Sequence, residues 1–213
     1  MTIRSQFWTL TRAKITAVVI ALGAALVPPA AQAGPLTDAA SDIEAMIAQG
    51  QTDDAVAAAR DLFRAVTNLT GFGVTNAQLI EGPATGFGIY EPRGDSIYEP
   101  GEPIYAYVEV YGFSLTPQEN GFNQLLFDVT FTLDAPDGEQ MTDAMVSMGD
   151  IRLESYGEPV DGYFHLTYRV TGAEGAFVLR TSVTDRESGQ TAEFSLPVVF
   201  EPVPAAAMQM DEK

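Results

Sequence analysis

The 213-residue chain has no cysteine and a single histidine, His165. Without thiols there is no disulfide, no cysteine nucleophile, no thiolate zinc site and no iron–sulfur cluster. One imidazole also excludes a centre built from several histidine ligands. Positive charge is scarce, with 11 Lys+Arg against 29 Asp+Glu and a formal charge of −18. A phosphate backbone attracts the opposite surface, so no nucleic-acid partner is expected. Tryptophan is represented by Trp8 alone. What the chain does hold, 46% hydrophobic and 10% aromatic residues, is the composition of a globular rather than a disordered protein.

The main apolar run is short. Residues 15–27 are apolar except for Thr16 and Gly23, well under the ~20 residues with which a helix crosses a bilayer. Arg4, Arg12 and Lys14 precede the run, and Pro28, Pro29 and Ala31-Gln32-Ala33 follow it. A basic head, an apolar centre and a small-x-small end are the parts of a cleaved secretory signal. Residues 1–33 are therefore expected to be removed ahead of Gly34, releasing a periplasmic or secreted protein with no membrane insertion. Cleavage would remove three basic residues, no acidic ones and the only tryptophan. The resulting acidic surface favours solubility without designating a partner.

Residues 34–72 read as a helical hairpin. Ser41-Asp42-Ile43-Glu44 has the form of a capping box, with Ile43, Met46 and Ile47 behind it and Gly50 at the helix end. Thr52 is positioned to cap a second helix whose Val56, Ala59, Phe63 and Val66 form one apolar stripe, with Leu62 and Leu69 beside it. A connection this short makes the helices antiparallel. The stripe needs a cover, and the domain that follows is expected to supply it.

From about residue 73 to 201 the apolar period changes from 3.6 to 2. Ile104, Ala106, Val108 and Val110 alternate with Tyr105, Tyr107, Glu109 and Tyr111. Similar runs centre on Phe127, Leu166, Leu179 and Leu196, with shorter pieces at 78–80, 86–90 and 145–153, which makes about eight strands. Many short strands with no helix between them predict two antiparallel sheets packed face to face. Residues 202–213 are expected to form a disordered acidic tail.

Three stretches carry a resemblance: Gly86-Phe-Gly-Ile-Tyr-Glu-Pro-Arg, Tyr98-Glu-Pro-Gly-Glu-Pro-Ile-Tyr-Ala-Tyr-Val-Glu-Val-Tyr-Gly-Phe, and Val183-Thr-Asp-Arg-Glu-Ser-Gly-Gln-Thr-Ala-Glu-Phe-Ser-Leu-Pro. They are similar to a group of uncharacterised secreted proteobacterial proteins in which a helical segment precedes an immunoglobulin-like domain. The resemblance covers roughly residues 82–200. It implies a mainly β chain, an antiparallel immunoglobulin-like β-sandwich preceded by a short α-helical hairpin. It brings no catalytic residues.

Chemistry has few candidates. His165 lies on a mixed strand face with Tyr163, Thr167 and Arg169, and no Gly-x-Ser-x-Gly elbow accompanies it. A glycosidase would need two carboxylates facing each other across a cleft, for which a small sandwich has little room. Asp134, Asp137, Glu139 and Asp143 surround one turn, and Glu91, Asp95, Glu99 and Glu102 another. Calcium is the ion that such oxygen-rich loops suit, although neither follows the EF-hand pattern and no metal or cofactor is assigned. Arg93-Gly94-Asp95 spells an integrin-type tripeptide that turn composition alone explains. Tyr105, Tyr107 and Tyr111 share one strand face and are the expected ligand- or partner-binding residues. That face is expected to be partly covered by the helical hairpin, with Tyr105 packed and the end near Tyr111 free. The reading is an exported, non-enzymatic binding or structural module engaging another exported or cell-envelope protein. Carbohydrate binding on the tyrosine face is the alternative, and a small hydrolase is the next.

Overall fold

Gly34 and Pro35 begin the first helix, since a proline in the first turn has no N–H to leave unpaired and a φ already set for the helix. In the computed structural model, which describes residues 34–202, α1 spans Pro35–Ala48 and α2 spans Thr52–Thr70. The expected start at Ser41 is corrected. Ser41 lies inside α1, and its hydroxyl donates to the Thr37 carbonyl at 3.0 Å. Thr52 likewise sits inside α2, whose N-cap is Gln51. Gly50 does close α1, at a φ of +74°. Leu36, Ala39, Ile43 and Met46 are the half-buried positions of α1, at helical spacing, and α2 meets them through buried Ala55 and half-buried Ala58 and Leu62. The expected signal segment and nearly all of the expected tail lie outside the described residues.

Nine strands follow within the described residues: β1 (Gly73–Ile80), β2 (Ile97–Tyr98), β3 (Ile104–Tyr111), β4 (Thr116–Pro117), β5 (Asn123–Asp134), β6 (Val146–Ser155), β7 (Asp161–Tyr168), β8 (Gly175–Asp185) and β9 (Thr191–Phe200). They form a three-stranded sheet, β1-β3-β7, and a six-stranded sheet, β2-β9-β8-β5-β4, in which β6 also pairs with β5. Every pairing is antiparallel except the short β2–β9 contact. This is the β-sandwich the strand periodicity predicts, with two helices ahead of it.

The alternation decides the core. Ile104, Ala106, Val108 and Val110 of β3, with Phe164 and Leu166 of β7, share one buried cluster with Leu125, Phe127 and Val129 of β5, Leu179 and Val183 of β8 and Val198 of β9. Phe127 sits among Phe72, Phe164 and Phe113, with ring centroids 5.6, 5.7 and 6.1 Å away. One polar tie crosses the core, a 2.8 Å hydrogen bond between the Tyr168 and Thr181 hydroxyls. Burial holds that phenol protonated far above its ordinary range.

Two expectations are corrected here. The piece at 86–90 is a turn, joined only by an isolated bridge between Gly86 and Ile89. The helical hairpin does not cover the tyrosine face either. Two residues connect α2 to β1, and α2 meets the sandwich at one end, beside Gly112, Phe113 and Glu158 to Asp161. There Arg64 pairs with Glu158 at 3.4 Å, the Phe72 N–H donates to Gln190 Oε1 at 2.7 Å, and Phe72 enters the core. Gly112, at a φ of +66°, lies against the Gly71 carbonyl, where a Cβ would collide with backbone. Phe63 and Val66 stay 39% and 37% exposed.

Candidate functional site

The outer face of the three-stranded sheet is assembled by register. Tyr107 stands opposite Gln78 of β1 and His165 of β7, Tyr105 opposite Ile80 and Thr167, and Glu109 opposite Asn76 and Tyr163. The chain leaving β1 turns back over this face. The Glu81 N–H donates to the Glu91 carbonyl at 2.9 Å, and the Arg93 N–H to the Leu79 carbonyl at 3.1 Å. At the tip, the Ile89 N–H reaches the Gly86 carbonyl and the Thr85 N–H reaches the Ile89 carbonyl, each at 3.0 Å. Gly88, with φ +66°, takes the position of a type II turn that disfavours any side chain.

Tyr107 anchors that tip. Its hydroxyl accepts from the Gly88 N–H at 2.7 Å and donates to Glu109 Oε1 at 2.8 Å. Its ring lies 4.2 Å from Tyr90 and 5.7 Å from Tyr163, and Phe87 meets Tyr163 edge-on at 6.1 Å. The Gln78 amide in turn donates to the Tyr90 hydroxyl. Tyr107 is left with no exposed surface. Burial, reinforced by the Glu109 carboxylate, pushes its pKa up to about 12 against the opposing pull of the Gly88 N–H. A neutral, enclosed phenol of this kind passes a hydrogen bond from loop to strand. It is neither base nor nucleophile at ordinary pH.

The three predicted tyrosines therefore do not make one accessible face. Tyr107 is covered, by the loop rather than by the helices, while Tyr105 and Tyr111 remain half-buried on either side. Tyr111 closes on Gly73, where a Cβ would have to displace its phenol. The side chains that this arrangement holds out are Phe87, 47% exposed, and Ile89, 63% exposed. Sequence reasoning took their segment for a strand. The available signal was the glycine on each side of Phe87.

The other candidates have definite places. His165 is exposed on β7 and makes no side-chain hydrogen bond or ion pair among the described residues. Asp134 is held by Arg180 at 2.8 Å, and Asp137 accepts from the Glu139 N–H at 3.2 Å. Arg93 donates to Glu102 at 2.7 Å and to the Ile97 carbonyl at 2.6 Å, contacts Asp95 at 3.4 Å, and lies 4.1 Å above the Tyr98 ring. The Arg93-Gly94-Asp95 tripeptide is thus a clasp whose arginine is already engaged. Burial pushes the enclosed Tyr98 phenol to about 12, with Arg93 opposing. Among the described residues no group of three acidic or imidazole side chains has a metal-holding arrangement. Buried Asp185 accepts from Ser114 Oγ at 2.7 Å and Ser188 Oγ at 2.6 Å. It ties the β8–β9 hairpin to the segment before β4 and has no imidazole partner in the hydrogen bonds described.

No known sequence family matches the chain, and no curated protein matches it. Similar solved structures include the C-terminal domain of wzt (8% identity, TM-score 0.38, covering 63% of this chain and 75% of that one). The sporulation control protein Spo0M of Bacillus subtilis is 13% identical at a TM-score of 0.33, covering 63% of this chain and 51% of that one. The alkylpurine DNA glycosylase AlkC of Pseudomonas fluorescens is 10% identical at a TM-score of 0.36, covering 62% and 30%. This chain thus spans under a third of AlkC and about half of Spo0M. Alignments this loose say nothing about what the chain does.

Proposed function

We propose that the chain is an exported, non-catalytic binding module that takes a partner protein in the periplasm or outside the cell through the turn at residues 86–89. The observation that carries this reading is the exposure of Phe87 and Ile89 on a turn fixed from below by Tyr107, Tyr90 and Tyr163. Apolar side chains left in water on a rigid support lose little freedom when a partner covers them. Aromatic residues are also enriched at the centres of protein interfaces. Tyr105 and Tyr111 would form the flanks of the contact.

The test uses a photo-crosslinking residue at position 89 in cells that make the full chain, with a second reporter at exposed Glu187 as reference. A discrete protein adduct from position 89 alone, lost in Phe87→Ala, is the expected result. Equal adducts from both positions, or none, would sink the reading, and recovery of glycan instead would replace it with carbohydrate binding. Export is checked separately: intact mass of the recovered protein is expected to start at Gly34, and retention of Met1 would overturn it.

A further inference from the structure

At the end of the sandwich where β5 finishes and β7 gives way to β8, strands of the six-stranded sheet and the segment 169–173 enclose an open hollow of about 430 Å³. Its floor belongs to the core: Phe131 and Leu133 are 6% and 7% exposed. Phe177 and Val170 make further wall, and Met141 and Val146 stand on the rim at 53% and 41% exposed, with Met145 beside them at 58%. A volume of this size falls in the range of small-molecule sites, roughly 300–1,000 Å³. Thr142, Thr171 and Gly172 complete the wall, so the hollow pairs an apolar floor with a partly polar rim.

The charge of the lining names what would fill it. No carboxylate lines the cavity, and its one charged residue is Arg169, exposed directly after β7. Arg64, Arg93, Arg180 and Arg186 each pair with an acidic side chain, while Arg169, like Arg60 and Arg152, makes no ion pair among the described residues. What sets Arg169 apart from those two is its place in the wall of this hollow, where its guanidinium is free to meet an anion seated there. Asp134, which follows Leu133, is already engaged by Arg180. A guanidinium presents a planar fork that matches a carboxylate at two points.

We propose that this cavity binds a monoanionic amphiphile, an organic carboxylate whose aliphatic or aromatic body lies against Phe131 and Phe177 while its head pairs with Arg169. The site is separate from the turn at residues 86–89 and does not depend on the partner reading. Decanoate is the probe, titrated into the full mature chain carrying ¹³C-labelled methionine methyls and followed by NMR, with decanol as the uncharged comparison. Met141 and Met145 are expected to shift saturably with decanoate while Met46 of α1 does not move. Arg169→Gln is expected to weaken decanoate about tenfold, as loss of a charge-assisted pair does, and to leave decanol and the melting temperature unchanged. No saturable shift at Met141, an equal shift at Met46, decanol binding as tightly as decanoate, or an unaltered Arg169→Gln variant would each overturn the proposal.

Discussion

Ile104, Ala106, Val108 and Val110 in β3 have no exposed surface, whereas α1 contains no buried residue and α2 contains only Ala55 and Thr67. The apolar residues of both regions follow a clean period, 2 in the strand and 3.6 in the helices. The strand lies between β1 and β7 and shares its buried cluster with the opposite sheet. Each helix has the other along one face and, for α2, the tip of the sandwich. Period says which side of an element is apolar. The number of layers stacked on that side decides how much the apolar surface stabilises the fold.

The sharpest way to break this contrast is at the centre of the sandwich. Phe127→Ala removes a fully buried ring that touches Phe72, Phe113 and Phe164. It is expected to cost about 3–5 kcal/mol in chemical denaturation, as large-to-small changes in a tightly packed core do. A loss under about 1 kcal/mol, within the range of surface sites, would mean that the core is not organised around this ring.

A smaller effect is expected at the loop-covered phenol. Tyr107→Phe keeps the ring and deletes the hydroxyl that accepts from Gly88 and donates to Glu109. The expected loss is about 1–2 kcal/mol, with faster cleavage by chymotrypsin after Phe87, since the turn loses its anchor. Alkaline titration sharpens the point. Tyr98 and Tyr107 have pKa values raised from 10 to about 12. The folded state thus holds these protons more tightly than the unfolded state does. Their stabilisation is fully present below pH 10 and is lost as pH climbs from 10 to about 12. Denaturation curves across that window are expected to fall more steeply for the wild type than for Tyr107→Phe. Equal slopes would show that the phenol is not buried in solution.

The β-sandwich was legible because alternation is a local property: Ile104 to Val110 announce their own buried face. The helical hairpin was legible for the same reason, down to the Gly50 turn. The start of α1 was misplaced because a plausible capping box at Ser41 outweighed Pro35, which sits where a helix can begin without wasting a donor. The tyrosine site was only half legible. Strand parity puts Tyr105, Tyr107 and Tyr111 on one face, but nothing local reports that the chain after Ile80 folds back and covers Tyr107. That contact joins Gly88 to Tyr107, and it depends on a turn whose glycines were read as part of a strand. The cavity beside Arg169 is further removed still. It exists because β5 and β7 end near where β8 begins, and no short window of sequence contains all three.

The least effect is expected at Phe63, where the two regions meet. The sequence made it a core residue between hairpin and sandwich, which would give Phe63→Ala the same penalty as Phe127→Ala. In the structure Phe63 is 39% exposed and lines an open groove with Val56, Ala59, Val160 and Asp161. The hydrophobic gain scales with area removed from water, and an open groove closes around a missing side chain without leaving an enclosed cavity. Phe63→Ala is therefore expected to cost about 1 kcal/mol or less, read as a shift of denaturation midpoint with an unchanged slope. A loss near 3 kcal/mol would mean that α2 seats more deeply on the sandwich in solution, and the contrast between a hidden sheet and an exposed hairpin would fail. A small loss together with rapid amide exchange through α1 and slow exchange in β3 would fix the boundary between the two at residues 71–72, where the helical chain gives way to the core.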